Sequence, residues 1–177
     1  MAVCFVSWYK GILNNLTLQK EILLMRRNEK QIHNRTEIDK IIKQSEVCRL
    51  ALTKDNIPYI VPVSFGYNGE SLFIHTALEG KKIEFIEAND LVCFEFDTQV
   101  KTVEHETIPC KWTAAYESII GYGKMVEIKA LEDRIYAINQ IMLQYSGKEW
   151  NFNEEMLKRV KIWEIKIDEI SGKISGY

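Results

Sequence analysis

The sequence predicts an α+β fold, a small antiparallel β-barrel with peripheral helices. Three observations predict it. Strand-like apolar runs follow one another at close spacing. Asn68-Gly69 sits between two of them as a hairpin turn. Helical periodicity is confined to a few short stretches. The 177 residues are 46% apolar and 27% charged, ordinary values for one globular domain with a real core.

The elements follow in order. Thr36-Glu37-Ile38-Asp39 has the spacing of a capping box, and Ile38, Ile41 and Ile42 give a short helix over 37–45. Val47 to Thr53 reads as a strand, and Lys54-Asp55-Asn56 as a turn. Pro58 to Tyr67 is a second strand with Tyr59, Val61, Val63, Phe65 and Tyr67 on one face. Ser71 to Thr76 is a third strand, antiparallel to the second. Ile83, Phe85 and Ile86 mark a short helix ending near Asn89-Asp90, and Leu91 to Phe96 is a fourth strand. Residues 97–113 read as a polar loop. Tyr116 to Ile128 is a long strand whose Gly121 and Gly123 signal a bulge or close backbone approach. Leu131, Ile135, Ile138, Met142 and Tyr145 form a helical stripe, and Val160 to Ile170 alternates as a last strand.

Lysine plus arginine (23) and aspartate plus glutamate (25) leave a net charge of −2. That balance argues against nucleic acid or an anionic membrane as the main partner. Lys10, Asn14, Asn15 and Lys20 interrupt the apolar opening well short of a membrane span, and it lacks the layout of a signal peptide. Residues 1–24 read either as an extra helix or arm packed on the domain or as an N-terminal extension upstream of Met25, which opens the domain at 25–177. Cys4, Cys48, Cys93 and Cys110 show no C-x-x-C pair and no zinc-ligand spacing to a histidine. They read as small buried hydrophobes in a reducing, cytoplasmic setting, with no metal site.

No nucleophile motif or P-loop is present, and His33, His75 and His105 lie far apart. The informative stretch is Phe73-Ile74-His75-Thr76-Ala77-Leu78-Glu79-Gly80-Lys81-Lys82. A strand ends in His and Thr, a glycine loop follows, and two lysines open a helix. Free N–H groups, a positive dipole end and added cationic charge suit a phosphate. The plain alternative makes Lys81 and Lys82 a solvated face.

Residues 25–177 resemble the flavin-binding split-barrel family related to pyridoxamine 5′-phosphate oxidase, in its nitroimidazole-resistance branch. The resemblance rests on an ordered set of segments: Met25 to Ile32, Cys48-Arg49-Leu50-Ala51, Pro58 to Tyr67, Leu72 to Ala77, Glu79-Gly80-Lys81-Lys82, Asn89 to Phe96, Tyr116 to Gly123, and Ile167 to Lys173. It implies a homodimeric split barrel of the FMN-binding type. Two equivalent flavin sites would lie at the interface, with FMN the expected cofactor and FAD compatible. Val61, Pro62, Val63 and Ser64 would lie along the isoalloxazine edge, using backbone groups. His75, Thr76, Gly80, Lys81 and Lys82 match the ribityl and phosphate contacts, with Lys82 as the phosphate partner. Tyr116 and Ser118 match the strand that reaches the flavin of the partner subunit, and Trp112 would stack near the ring. His75 is the candidate catalytic residue.

The resemblance implies a flavin-dependent oxidoreductase passing electrons from NAD(P)H to a small-molecule acceptor such as a nitroaromatic. Its alternatives are a non-catalytic flavin- or haem-binding dimeric module and a purely structural dimer. The chain has no arginine after Arg159. Further basic residues near the C-terminus serve the substrate phosphate in pyridoxamine-phosphate oxidases, so the lack of an arginine there speaks against vitamin B6 oxidation.

Overall fold

The computed structural model describes residues 27–176, so the expectation for residues 1–24 lies outside the described residues. The chain divides after Gln31. Before that division stands a 3-10 turn, Asn28–Lys30. The strands are β1 (Gln31–Ile32), β2 (Cys48–Lys54), β3 (Ile57–Val63), β4 (Gly66–Tyr67), β5 (Ser71–Thr76), β6 (Leu91–Val103), β7 (Thr113–Ile128) and β8 (Lys161–Ser175). The helices are α1 (Arg35–Gln44), α2 (Lys81–Ala88), α3 (Leu131–Ser146) and α4 (Glu154–Leu157). Among the described residues no helix is long and apolar enough to cross a membrane.

Strands β2 to β8 form one antiparallel sheet in the order β3-β2-β6-β7-β8-β5-β4. Its end strands, β3 and β4, are consecutive in the chain, with only Ser64 and Phe65 between them. Three peptide units reach at most about 11 Å. The sheet must therefore roll until its two ends nearly meet, which gives a barrel left open at one seam. The inward residues fill it: Leu50, Phe94, Phe96, Leu72, Ile74, Ile119 and Ile165 are all fully buried. A second cluster packs α3, through Ala137, Ile138 and Ile141, onto Phe73 and Ile162 on the opposite face of the sheet.

Several expectations are corrected. Helix α1 starts at Arg35 and is capped by Asn34, whose side chain accepts the Thr36 N–H at 2.9 Å; the Thr36 capping box is not the start. The second strand is two strands at opposite ends of the sheet. Its face is nevertheless as expected, with Val63, Phe65 and Tyr67 buried, and only its last segment, β4, pairs with β5. Residues 97–103 of the supposed loop 97–113 are strand, as is Thr113. The polar sequence hid it, because Lys101, Thr102 and Val103 pair with Ala115, Ala114 and Thr113 beyond a register shift after Thr98. Strand β8 continues through Ser171-Gly172 because β7 is long enough to pair it as far as Ser175. On α3 the ends of the stripe, Leu131 and Tyr145, are exposed, and the buried face centres on Ala137, Ile138 and Ile141. Cys48 is buried and Cys93 half-buried, but Cys110 is exposed on the short turn between β6 and β7. Gly121 and Gly123 are sites of close approach: a Cβ would lie 2.2 Å from the Phe94 ring at the first and 2.1 Å from the Lys166 carbonyl oxygen at the second.

Candidate functional site

The seam gathers most of the predicted site. Beyond the Gly66–Phe73 pair, two further steps lead back to Ser64 on one strand and on to His75 on the other. The β4–β5 pairing stops at Gly66–Phe73, so neither Ser64 nor His75 belongs to that ladder. Among the described residues strand β3 pairs with β2 alone, which leaves alternate backbone groups of Val61, Pro62, Val63 and Ser64 facing away from the sheet. Val63 is buried, Val61 half-buried, and Pro62 and Ser64 exposed.

Loop 77–80 leads from β5 into α2. Gly80 takes φ 122°, a conformation that strains any side chain, and nothing lies within 4 Å of where its Cβ would be. The carbonyl of Gly80 accepts from the N–H groups of Ile83 and Glu84. The N–H groups of Lys81 and Lys82 precede the first intrahelical bonds and point out of the helix end. Two lysines in a first turn oppose the helix dipole at about 0.3–1 kcal/mol each. An anion at this end removes that conflict.

The two lysines part company. Lys81 Nζ lies 4.8 Å from the centre of the Tyr59 ring and 5.8 Å from that of Phe85, and those rings stand 5.0 Å apart. Cation–π attraction ties it to them. Lys82 is half-buried, and burial lowers its pKa from the ordinary value. Its charge is felt by His75, whose pKa is lowered first by desolvation and then by Lys82. The side chain of Thr76 serves the fold: its hydroxyl donates to the Ala77 carbonyl at 2.9 Å and accepts from the Trp163 indole N–H at 3.0 Å.

The lowered pKa of His75 favours its neutral form. Its folded pKa lies below the unfolded value near 6.5, so the unfolded chain binds more protons between the two. Stability from this group is complete above about pH 6.5 and is lost as pH falls toward the folded pKa. In an NMR titration of the flavin-free protein, His75 is expected to titrate below 6.5, and its midpoint should rise when inorganic phosphate is added. A midpoint above 6.5 without phosphate would contradict the placement of Lys82.

Tyr116 and Ser118 are not brought to this group. His75 pairs with Ile162, which pairs with Ile128, whereas Ser118 stands ten residues back along β7. At about 3.3 Å per residue that is on the order of 30 Å along the strand. Ser118 instead belongs to the outer face of the sheet, in the row Asp97–Ser118–Lys173. The next row on that face is Pro62–Arg49–Glu95–Ile120–Ser171, and beyond it comes Ile60–Ala51–Cys93–Tyr122–Glu169. None of these residues is buried; Ile60 is 65% and Ile120 42% exposed. Arg49 Nη1 donates to both Glu95 and Asp97 at the centre of the face. Trp112 is exposed at the β6–β7 tip, its indole N–H held by the His105 carbonyl at 2.9 Å. No group of three or more His, Cys, Asp or Glu among the described residues is placed to hold a metal ion.

Sequence reasoning missed Tyr59 and Phe85 as the holders of Lys81. Tyr59 stood in the period-2 run, but nothing local linked it to a helix more than twenty residues away.

A family model described as pyridoxamine 5′-phosphate oxidase matches residues 34–174. Among solved structures, a candidate 5-nitroimidazole antibiotic resistance protein from Bacteroides thetaiotaomicron VPI-5482 is 30% identical, with TM-score 0.73 over 81% of this chain and 86% of that one. A FAD- and haem-binding protein from Mycobacterium smegmatis has TM-score 0.72 at 18% identity, over 84% of this chain and 74% of that one. A FAD-binding protein from Mesorhizobium loti has TM-score 0.59 at 23% identity, over 84% of this chain and 97% of that one. These last two share the fold. A curated relative from Rhizobium meliloti (strain 1021), itself of uncharacterized function, is 28% identical over 65 residues, 37% of this chain and 42% of that protein.

Proposed function

From the membership of this chain in the pyridoxamine 5′-phosphate oxidase family, we propose that it is a flavin-dependent oxidoreductase of the nitroimidazole-resistance type, with FMN its cofactor. The observation that carries this reading is the open end of α2. There Gly80, the free N–H groups and Lys82 meet His75 beside the unpaired edge of β3.

The residues fit the group. The N–H groups of Lys81 and Lys82 and the Lys82 ammonium would hold the phosphate. The outward backbone of Val61 to Ser64 would hydrogen-bond the ring edge. When bound, the flavin supplies the redox chemistry, accepting a hydride from a nicotinamide donor and returning electrons to a small acceptor such as a nitroaromatic. Neutral His75 at the seam can accept or donate a proton at its imidazole near that acceptor. Purified protein should be yellow, absorbing near 450 nm, and should oxidise NADH or NADPH in the presence of nitro compounds. A colourless protein that takes up no added FMN or FAD would overturn the reading. A yellow one that turns over no donor would be a binding module.

We further propose a homodimer, with the outer face as the contact. Five strands at about 4.8 Å spacing, a few rows deep, cover on the order of 500 Å² in projection. That is a large share of the roughly 800 Å² each partner contributes to a standard interface. The same face carries Pro62 and Ser118, so a two-fold pairing brings the Ser118 of one copy toward the seam of the other. Sedimentation at micromolar concentration should give twice the chain mass, and Ile60→Lys with Ile120→Lys should yield monomers. A parent protein that sediments as a monomer would remove this proposal.

A further inference from the structure

We propose that Tyr145 is a positioning residue for the flavin edge, acting through Phe65 at the barrel seam; this rests on the flavin reading above. If the β4–β5 ladder ran on from Gly66–Phe73, it would next pair Phe65 with Ile74 and then Ser64 with His75, closing the opening. It does not run on. The Phe65 N–H donates instead to the Tyr145 hydroxyl at 3.1 Å. That hydroxyl in turn donates to the Glu46 carbonyl at 2.9 Å, on the segment that leads into β2. One hydroxyl thus uses its proton and a lone pair to tie together two backbone stretches, the one entering the β2–β3 hairpin and the one leaving it.

The surroundings make this a fixed point. The Phe65 side chain is fully buried, 4.8 Å from the Phe96 ring and 6.3 Å from the Tyr145 ring, which it meets edge-on. The neighbouring Gln144 donates to the carbonyls of Lys43 and Ser45, both at 3.0 Å. The end of α3 is therefore anchored to the connection between α1 and β2, and Tyr145 extends that anchor to the crossing. Ser64 is the next residue along. The backbone of Val61 to Ser64 can present its outward groups to a ring only if the chain leaves β3 at the angle that Phe65 imposes. Misplacement by about 1 Å is enough to degrade a pre-aligned site.

The test compares Tyr145→Phe, which keeps the ring, with Gln144→Ala, which cuts the other two bonds of the same helix end. Three quantities are read for each: amide hydrogen exchange around Phe65 without flavin, the dissociation constant for added FMN, and the visible absorption and circular dichroism of the bound flavin. Tyr145→Phe should speed exchange at Phe65 at least tenfold, weaken FMN about tenfold and change the flavin bands. Gln144→Ala should lower the melting temperature and leave the bands unchanged. The proposal is overturned if Tyr145→Phe keeps the parent's FMN affinity and bands, or if Gln144→Ala alters the bands as much. A parent that binds no flavin would overturn the functional reading itself, and this inference with it.

Discussion

Lys82→Ala is expected to bind FMN about ten- to a hundredfold more weakly than the parent and to bind riboflavin, which lacks the phosphate, with nearly unchanged affinity. A charge-assisted hydrogen bond of this kind contributes about 1.5–3 kcal/mol, which converts to that range. Lys82 stands in the first turn of α2 and is half-buried against the seam, where its charge already depresses His75. Lys81 should matter less, because Tyr59 and Phe85 hold its ammonium. Lys81→Ala is expected to change FMN affinity by less than a third as much, on a logarithmic scale. Titration of each variant by flavin fluorescence quenching checks both. Equal losses for FMN and riboflavin in Lys82→Ala would place the phosphate elsewhere.

Phe65→Ala is expected to have the largest effect on folding, a loss of about 3–5 kcal/mol. Phe65 is fully buried and packs between Phe96 and Tyr145, between the end strands β3 and β4, which no ladder joins among the described residues. A domain of this kind is stable by only about 5–15 kcal/mol, so much of the total is at stake. Urea unfolding of the flavin-free protein should show a lower midpoint with an unchanged slope. Phe65→Leu, which retains most of the volume, should lose less. A loss under about 1 kcal/mol for the alanine variant would mean that the crossing is not packed as described.

What could be read in the sequence was what local chemistry decides. The alternation from Tyr59 to Tyr67 gave the buried face because a strand's period is two whatever its partner. The Asn68-Gly69 turn was legible because Gly69, at φ 101°, needs glycine, and Asn68 bonds the N–H groups of Glu70 and Ser71. The start of α2, with Gly80 before it and two lysines in its first turn, was legible because Gly80, Lys81 and Lys82 are adjacent. What could not be read depends on distant partners. The break at Ser64-Phe65 carries no proline or glycine of its own; the hydroxyl that occupies its N–H comes from 80 residues further on. The polar stretch 97–103 is strand only because β7 runs beside it. Adjacent helix positions such as Lys81 and Lys82 point about 100° apart, but the Tyr59 ring that helps fix Lys81 comes from a distant strand.

The place of β8 in the sheet has a consequence for how the protein is made. On one side β8 pairs with β7, and on the other with β5, where Ser71 meets Lys166 and Thr76 meets Lys161. It is synthesised after every other strand. Until it emerges, the β2–β3 and β4–β5 hairpins can form by local pairing, but no strand joins β7 to β5. Contacts between residues 85 to 95 apart in sequence must then be closed late, at the cost in rate that such long loops carry. The nascent chain meanwhile holds two unsealed edges, and these are the surfaces a chaperone would be expected to meet.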